Sequence, residues 1–170
     1  GLLLNLGLAY LKLDDAAKAM PVLRQAAATR GAVAKQAREL AALSAAQVGA
    51  AGARAELEAL AAEGAASAAV LHGLALVYVK SGERERAQEV FGRMLAGMPR
   101  AQALFLEGQV WYGSGDFARA LAAFEGAREA DAGLGGVWRE LGKTRVSLRD
   151  NAEARAALEE ALRRDAEDVE

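Results

Sequence analysis

Residues 71–99 read LHGLALVYVKSGERERAQEVFGRMLAGMP, and their spacing decides the fold. Leu71, Leu74, Ala75 and Tyr78 fall three and four apart, the spacing of one helical face. Gly82 then punctuates the pattern, Ala87 and Phe91 begin a second face one helical turn apart, and Pro99 closes it. A Gly or Ala on one helix opposite an Ala on the next lets two backbones approach closely while larger neighbours fill the ridges. The stretch therefore predicts two short helices folded back on each other. Such a hairpin leaves one apolar face bare and needs a neighbour to bury it.

Working outward, the same pattern recurs along the whole chain. One small-residue column runs Gly7, Ala41, Ala75, Gly108 and Gly142, and a second runs Ala19, Ala53, Ala87, Ala120 and Ala154. A third, Leu23, Leu57, Phe91, Phe124 and Leu158, lies four residues after the second. All three step by 34, 34, 33 and 34. Repetition at this period is the signature of a stacked helical array. Composition agrees: about a quarter of the residues are Ala, the best helix former, and the 5% aromatic content calls for close helix approach rather than bulky cores.

The chain resembles the tetratricopeptide repeat family, whose 34-residue pattern runs W-x2-L-G-x2-Y, then A-x3-F and a late P. Residues 68–100 match best. In the next unit Leu104, Gly108 and Trp111 precede Gly115-Asp116, Ala120, Phe124 and Ala127, with Glu107 at a usually apolar position. The first unit offers Leu3, Leu6, Gly7, Tyr10, Ala19, Leu23 and Ala26. The last offers Trp138, Leu141, Gly142, Ala154, Leu158 and Ala161, with Arg145 where the aromatic belongs. The second is degenerate: Ser44 takes the aromatic position, and a Gly-containing turn from Val48 to Gly52 implies a looser or longer connection. The resemblance implies an all-α fold, a right-handed α-solenoid of about five antiparallel hairpins. The units are approximately 1–33, 34–67, 68–100, 101–134 and 135–168, read as a single array. Gly31, Gly64, Gly82, Gly97 and Gly115 are expected to follow helices, and Ser67, Asp116 and Asp150 to cap the next ones.

The ends differ. Leu2, Leu3, Leu4, Leu6, Leu8, Leu11 and Leu13 surround most of the first helix, which predicts burial on several sides and a fragment of a longer protein. The last helix is expected to pair Glu159 with Arg163 and Glu160 with Arg164, leaving a face that tolerates water.

Several kinds of chemistry find no support in the residues. A net charge of -2 without a Lys/Arg stripe gives no footprint for nucleic acid or anionic membranes. The longest stretch free of charged residues, Gly64 to Val79, falls short of the ~20 apolar residues of a membrane span. No cysteine is present, so disulfides and zinc knuckles are excluded and the compartment, cytoplasm or periplasm, stays open. The Ala, Gly and Arg bias suggests a GC-rich bacterial genome. His72 is the only histidine and reads as a groove or surface residue rather than a metal ligand. Gly113-Ser114-Gly115-Asp116-Phe117-Ala118 matches G-x-G-x-x-A but follows a helix, not a strand, and reads as a hairpin turn. Asp14-Asp15 reads as a helix cap rather than a cation site. Trp111 and Trp138 fall at pattern positions expected to pack the hairpin core rather than form a ligand cage. No catalytic residue, cofactor or metal is therefore expected.

In proteins this chain resembles, partners lie along the concave surface of the first helices. Carried over by position, that surface comprises Leu8, Arg38, His72, Leu76, Val79, Phe105, Gln109, Tyr112, Arg139 and Lys143, with Ala42, Ala45, Asn5 and Leu11 beside them. Its middle is apolar and its later part charged. The Asn and Lys set with which some members clamp a C-terminal carboxylate is missing. The implied function is a noncatalytic scaffold for a protein or peptide ligand, an extended or helical segment with apolar side chains. Alternatives are an accessory domain of a larger enzyme or assembly factor, or self-association through the exposed ends.

Overall fold

A computed structural model describes residues 1–64 and 66–167. Among them the chain forms ten α-helices and no strand: α1 (Leu2–Lys12), α2 (Ala16–Ala27), α3 (Ala32–Gln47), α4 (Ala53–Ala62), α5 (Ala68–Lys80), α6 (Arg84–Gly97), α7 (Arg100–Gly113), α8 (Phe117–Ala130), α9 (Val137–Ser147) and α10 (Asn151–Glu167). The chain divides into two compact units, Gly1–Val77 and Tyr78–Glu170.

Four hairpin turns are built alike. In each, one residue takes a left-handed conformation: Asp14 (φ 56°), Gly82 (77°), Gly115 (84°) and Arg149 (63°). The amide that follows bonds back across the turn, from Asp15 to Tyr10 O at 2.9 Å, Glu83 to Tyr78 O at 2.9 Å, Asp116 to Trp111 O at 3.0 Å and Asp150 to Arg145 O at 2.9 Å. This closure satisfies helix-end carbonyls that would otherwise lack partners. The same acidic residue starts the second helix: the carboxylates of Asp15, Asp116 and Asp150 accept the amides of Lys18, Arg119 and Glu153 at 3.0, 3.2 and 3.4 Å.

The degenerate hairpin shows why those residues matter. Gly49 stands where the others have Asp or Glu, so no side chain caps the next helix there. Helix α3 runs on to Gln47, Ala50 N closes on Ala45 O at 2.8 Å, and α4 begins only at Ala53. The longer connection expected between Val48 and Gly52 is present, formed at the expense of the first turn of α4. Gly31, Gly64, Gly82 and Gly115 sit at helix boundaries with positive φ, and Ser67 Oγ accepts the Val70 amide at 3.3 Å. Gly97 is instead the last residue of α6.

In the first unit, α1 packs on α2, α2 on α3 and α3 on α4. Leu4, Ala19, Leu23, Ala26, Ala37 and Ala41 form a core cluster bordered by Leu3, Leu8, Tyr10, Leu11, Ala27, Val33 and Leu40. Ser44, at the aromatic position, is buried and donates its hydroxyl to Leu40 O at 2.7 Å, so the polar atom is satisfied within its own helix. The leucines around α1 are not all covered. Leu4 is buried, but Leu2 is 87% exposed, Leu13 76% and Leu6 44%: the face that α1 turns to α2 and the core cluster is covered, and these three leucines lie off it.

In the second unit α6 packs on α7, α7 on α8, α8 on α9 and α9 on α10. Phe124, Val110, Trp111, Val137 and Leu141 are buried, with ring centroids 5.6 Å apart for Phe91–Trp111 and for Phe105–Phe124. Glu107, unexpected at an apolar position, accepts the indole N–H of Trp111 at 3.1 Å. Arg145 replaces the missing aromatic with charge: its guanidinium reaches Glu125 of α8 at 3.0 Å and Glu153 of α10 at 3.2 Å. On α10, Arg164 pairs with Glu160 at 2.6 Å as the spacing implied. Glu159 is taken by Arg155 at 2.7 Å instead of Arg163, which bonds Glu160 at 2.6 Å, because i,i+3 and i,i+4 partners compete on one face.

Candidate functional site

The residues expected to line a partner surface fall on α1, α3, α5, α7 and α9, the first helices of the hairpins. In the first unit, Leu8 is half-buried against the core cluster and, with Asn5, Ala9, Leu11 and Lys12, borders an open cavity of about 510 Å³. Arg38 is exposed but turned towards α4, where it pairs with Glu63. With Arg24, bonded to Glu56 at 2.6 Å, these charges rim a separate cavity of about 310 Å³ among α2, α3 and α4. Ala42 and Ala45 are fully buried, contrary to their placement on the partner surface: alanines this short on α3 are covered by the helices around it. His72 and Leu76 are half-buried on α5. The Nε2 of His72 is buried with no hydrogen-bond partner among the described residues, and burial pushes its imidazole pKa down.

In the second unit, Val79, Phe105, Gln109 and Tyr112 are half-buried, while Arg139 and Lys143 are exposed. Phe105 leans into the hairpin core against Phe124. Tyr112 is held from two sides: its ring meets Phe117 edge-on at 5.3 Å between centroids, and its hydroxyl lies 3.5 Å from Ser147 Oγ on α9. Lys143 reaches Glu140 at 2.8 Å. Ser147, which fixes Tyr112, was not singled out in the sequence, because its role depends on α7 and α9 lying side by side.

The residues weighed for other chemistry hold structural contacts. Asp15 caps α2, and the hydrogen bond with the Lys18 ammonium lowers its carboxyl pKa. Asp14 accepts Gln47 Nε2 at 3.2 Å. Among the described residues no three His, Cys, Asp or Glu side chains converge as a metal site, and no helix is long and apolar enough to cross a membrane. Trp111 is buried as expected, but Trp138 is only half-buried, since Val137 and Leu141 fill the core instead. The Trp138 indole donates to Ala132 O at 3.2 Å, and the guanidiniums of Arg128 and Arg164 each lie 5.5 Å from its ring. Its ring is thus occupied by cations of the same chain.

Small residues where helices touch recur along the chain, and four of the hairpins add one αL residue at the turn and an acidic residue before the second helix. Comparison with known families finds the tetratricopeptide repeat at residues 1–30, 70–102 and 112–170, well over half of the sequence. The chain belongs to the tetratricopeptide repeat family. As a tetratricopeptide protein it is a protein-interaction scaffold, of a family that is typically non-catalytic. Among solved structures it is similar to MamA from Desulfovibrio magneticus RS-1, residue 41 to the end, with 16% identity, a TM-score of 0.57 and coverage of 98% of this chain and 94% of that one. It is also similar to MamA AMB-1, with 19% identity, a TM-score of 0.54 and coverage of 96% and 98%, and to MamA MSR-1, with 20% identity, a TM-score of 0.52 and coverage of 96% and 95%. These likenesses concern the tetratricopeptide fold alone. No curated protein matches in sequence.

Proposed function

We propose that this tetratricopeptide chain binds a protein partner through its first helices, taking a peptide or helical segment that presents apolar side chains. The observation that carries the reading is Tyr112: an accessible aromatic whose ring and hydroxyl are fixed by Phe117 and Ser147 before any partner arrives. A preorganised aromatic loses little freedom on binding, which is why Tyr and Trp dominate interface energetics. Leu8 and Leu11 around their open cavity offer a second apolar contact of the same kind. Exposed Arg139 adds positive charge on α9 and favours an acidic residue near the apolar ones in the partner.

The test is crosslinking and pull-down with the purified chain, followed by binding measurements on whatever is captured. The variant carries Leu76→Glu and Tyr112→Glu. Both residues are only half-buried, so the helical circular dichroism should persist while capture is lost. Capture that survives with unchanged affinity would place the partner on another surface.

A further inference from the structure

Three alanines on three helices leave room between the first two hairpins. Ala27 of α2, Ala41 of α3 and Ala59 of α4 offer only methyl groups, and with Leu60 they line the cavity of about 310 Å³. Helices stand on either side of it in sequence: α1 packs on α2, and Gly73 of α5 lies against Leu43 of α3 and Leu57 of α4. The opening is therefore internal to the first unit. Ala41 and Leu60 are 2% and 6% exposed, so the floor is apolar and set deep.

Across the mouth run two ion pairs, Arg24 with Glu56 and Arg38 with Glu63, each joining α4 to a neighbouring helix. All four side chains are 40% to 50% exposed. Pairs this open to water are weak, so each can turn from its partner to a ligand at little loss. Two cations offset two anions, and the rim draws neither an acidic nor a basic group by net charge.

The chain itself shows what suits this place. Three repeats on, Ala27, Ala37 and Glu63 are replaced in register by Arg128, Trp138 and Arg164. There the guanidiniums of Arg128 on α8 and Arg164 on α10 each lie 5.5 Å from the Trp138 ring on α9. In the first unit Arg38 turns to Glu63 and so brings a guanidinium to the side that Arg164 takes beside Trp138. Carboxylates serve an indole elsewhere in the chain: Glu107 accepts the Trp111 N–H at 3.1 Å, while Arg119 lies 4.8 Å from that ring. The cavity thus combines a methyl-lined floor, a guanidinium for an aromatic face and a carboxylate for a buried N–H.

We infer that this cavity takes one tryptophan side chain presented by a partner protein, its ring on the alanines and against Arg38, its N–H given to a rim carboxylate. At about 310 Å³ it stands at the lower end of the ~300–1,000 Å³ of ligand sites, room for one ring system and not for a length of helix. It uses none of the contacts around Tyr112, so the two readings fail independently.

Amide chemical shifts of the isotope-labelled chain test it, with a blocked glycine peptide carrying one central tryptophan as the probe. Saturating shifts should appear at Ala27, Ala41 and Leu60. The same peptide with leucine should give none, and with a tryptophan methylated at the indole nitrogen it should bind several-fold more weakly. Ala59→Leu fills the cavity from an exposed helical position and should abolish the shifts. Arg38→Met keeps the stem, drops the guanidinium and should weaken binding several-fold. Leucine and methionine are good helix formers, so circular dichroism should remain that of the parent chain. The double variant Leu76→Glu, Tyr112→Glu should bind the probe as the parent chain does. Shifts centred elsewhere, an equal response to leucine or undiminished binding by Ala59→Leu would each overturn the proposal. So would undiminished binding by Arg38→Met or of the methylated probe, or no saturation up to the solubility limit of the peptide.

Discussion

Gly108 on α7 lies directly against the Phe124 ring on α8: a Cβ built on Gly108 would stand 2.6 Å from both Cδ1 and Cε1 of that ring. Gly142 has the same relation to Leu158, whose Cγ would lie 2.5 Å from an added Cβ. At Gly7, Gly108 and Gly142 the small-residue column is therefore a steric requirement of helix approach, and Leu23, Phe124 and Leu158 of the third column rest on it. Gly92 on α6 is the control, since an added Cβ there meets nothing within 4 Å.

Opposite signs follow for one substitution at two helical glycines. Gly108→Ala should cost about 1–3 kcal/mol by overpacking against Phe124, outweighing the helix propensity gained. Gly92→Ala should stabilise by up to about 1 kcal/mol from propensity alone. Urea unfolding followed by circular dichroism measures both. Equal effects would mean that close approach at Gly108 does not limit packing.

The second hairpin should be convertible to the form of the others. Val48 and Gly49 stand where the third and fourth hairpins have Gly82-Glu83 and Gly115-Asp116. The double variant Val48→Gly, Gly49→Asp supplies both the residue suited to positive φ and the missing cap, so α4 should gain its first turn over residues 50–52. An N-cap is worth about 0.5–2 kcal/mol, partly offset by Gly52 entering a helix. Amide exchange should slow at Ala53 and Arg54. Unchanged exchange there would show that the missing cap is not what shortens α4.

This hairpin also marks how far the sequence could be read. The hairpin pairing followed from Ala87 and Phe91 and their columns, because close approach and ridge filling impose period and residue type together. The loose turn was foreseen from glycine, but that Gly49 also takes the place of the acid found at Asp15, Glu83, Asp116 and Asp150 emerges only when the five turns are set side by side. The partner surface was less legible. Position along a repeat does not report which neighbours cover a residue, so Ala42 and Ala45 proved buried and Arg38 turned to Glu63. Tyr112 stayed accessible, and Ser147 became relevant only through it. Trp138 left the core for the same reason: Val137 and Leu141 already filled the space.

His72 should make stability depend on pH. Burial lowers its pKa, and its Nε2 has no partner among the described residues. As pH falls, the unfolded chain takes up the proton first, at about pH 6.5. The stability that neutral His72 permits is thus fully present above that value and is lost as pH falls towards the depressed folded-state pKa. Denaturant midpoints between pH 8 and 5 should decline for the parent chain. His72→Leu should remove this component of the decline. It should also stabilise at neutral pH by on the order of 1 kcal/mol, because an unsatisfied buried polar atom is gone. An identical pH profile in the variant would assign the dependence to other groups.

Arg145 holds the position that Tyr10, Tyr78 and Trp111 fill elsewhere. Its side chain is 12% exposed, and it joins α9 to Glu125 of α8 and Glu153 of α10, whose side chains are 37% and 61% exposed. The half-open carboxylates keep their solvation, so loss of the cation should cost less than the several kcal/mol of a fully buried pair. Arg145→Ala is expected to destabilise by about 1–2 kcal/mol. Part of that is the stem of the side chain packing between helices, and part is charge. A double-mutant cycle with Glu125→Ala separates the two, because stem packing is lost equally in both backgrounds and only the pairwise interaction survives as coupling. A coupling of about 0.5–1 kcal/mol that shrinks in molar salt is the expected result. Zero coupling would reduce Arg145 to a spacer, and Arg145→Met should then be as stable as the parent chain.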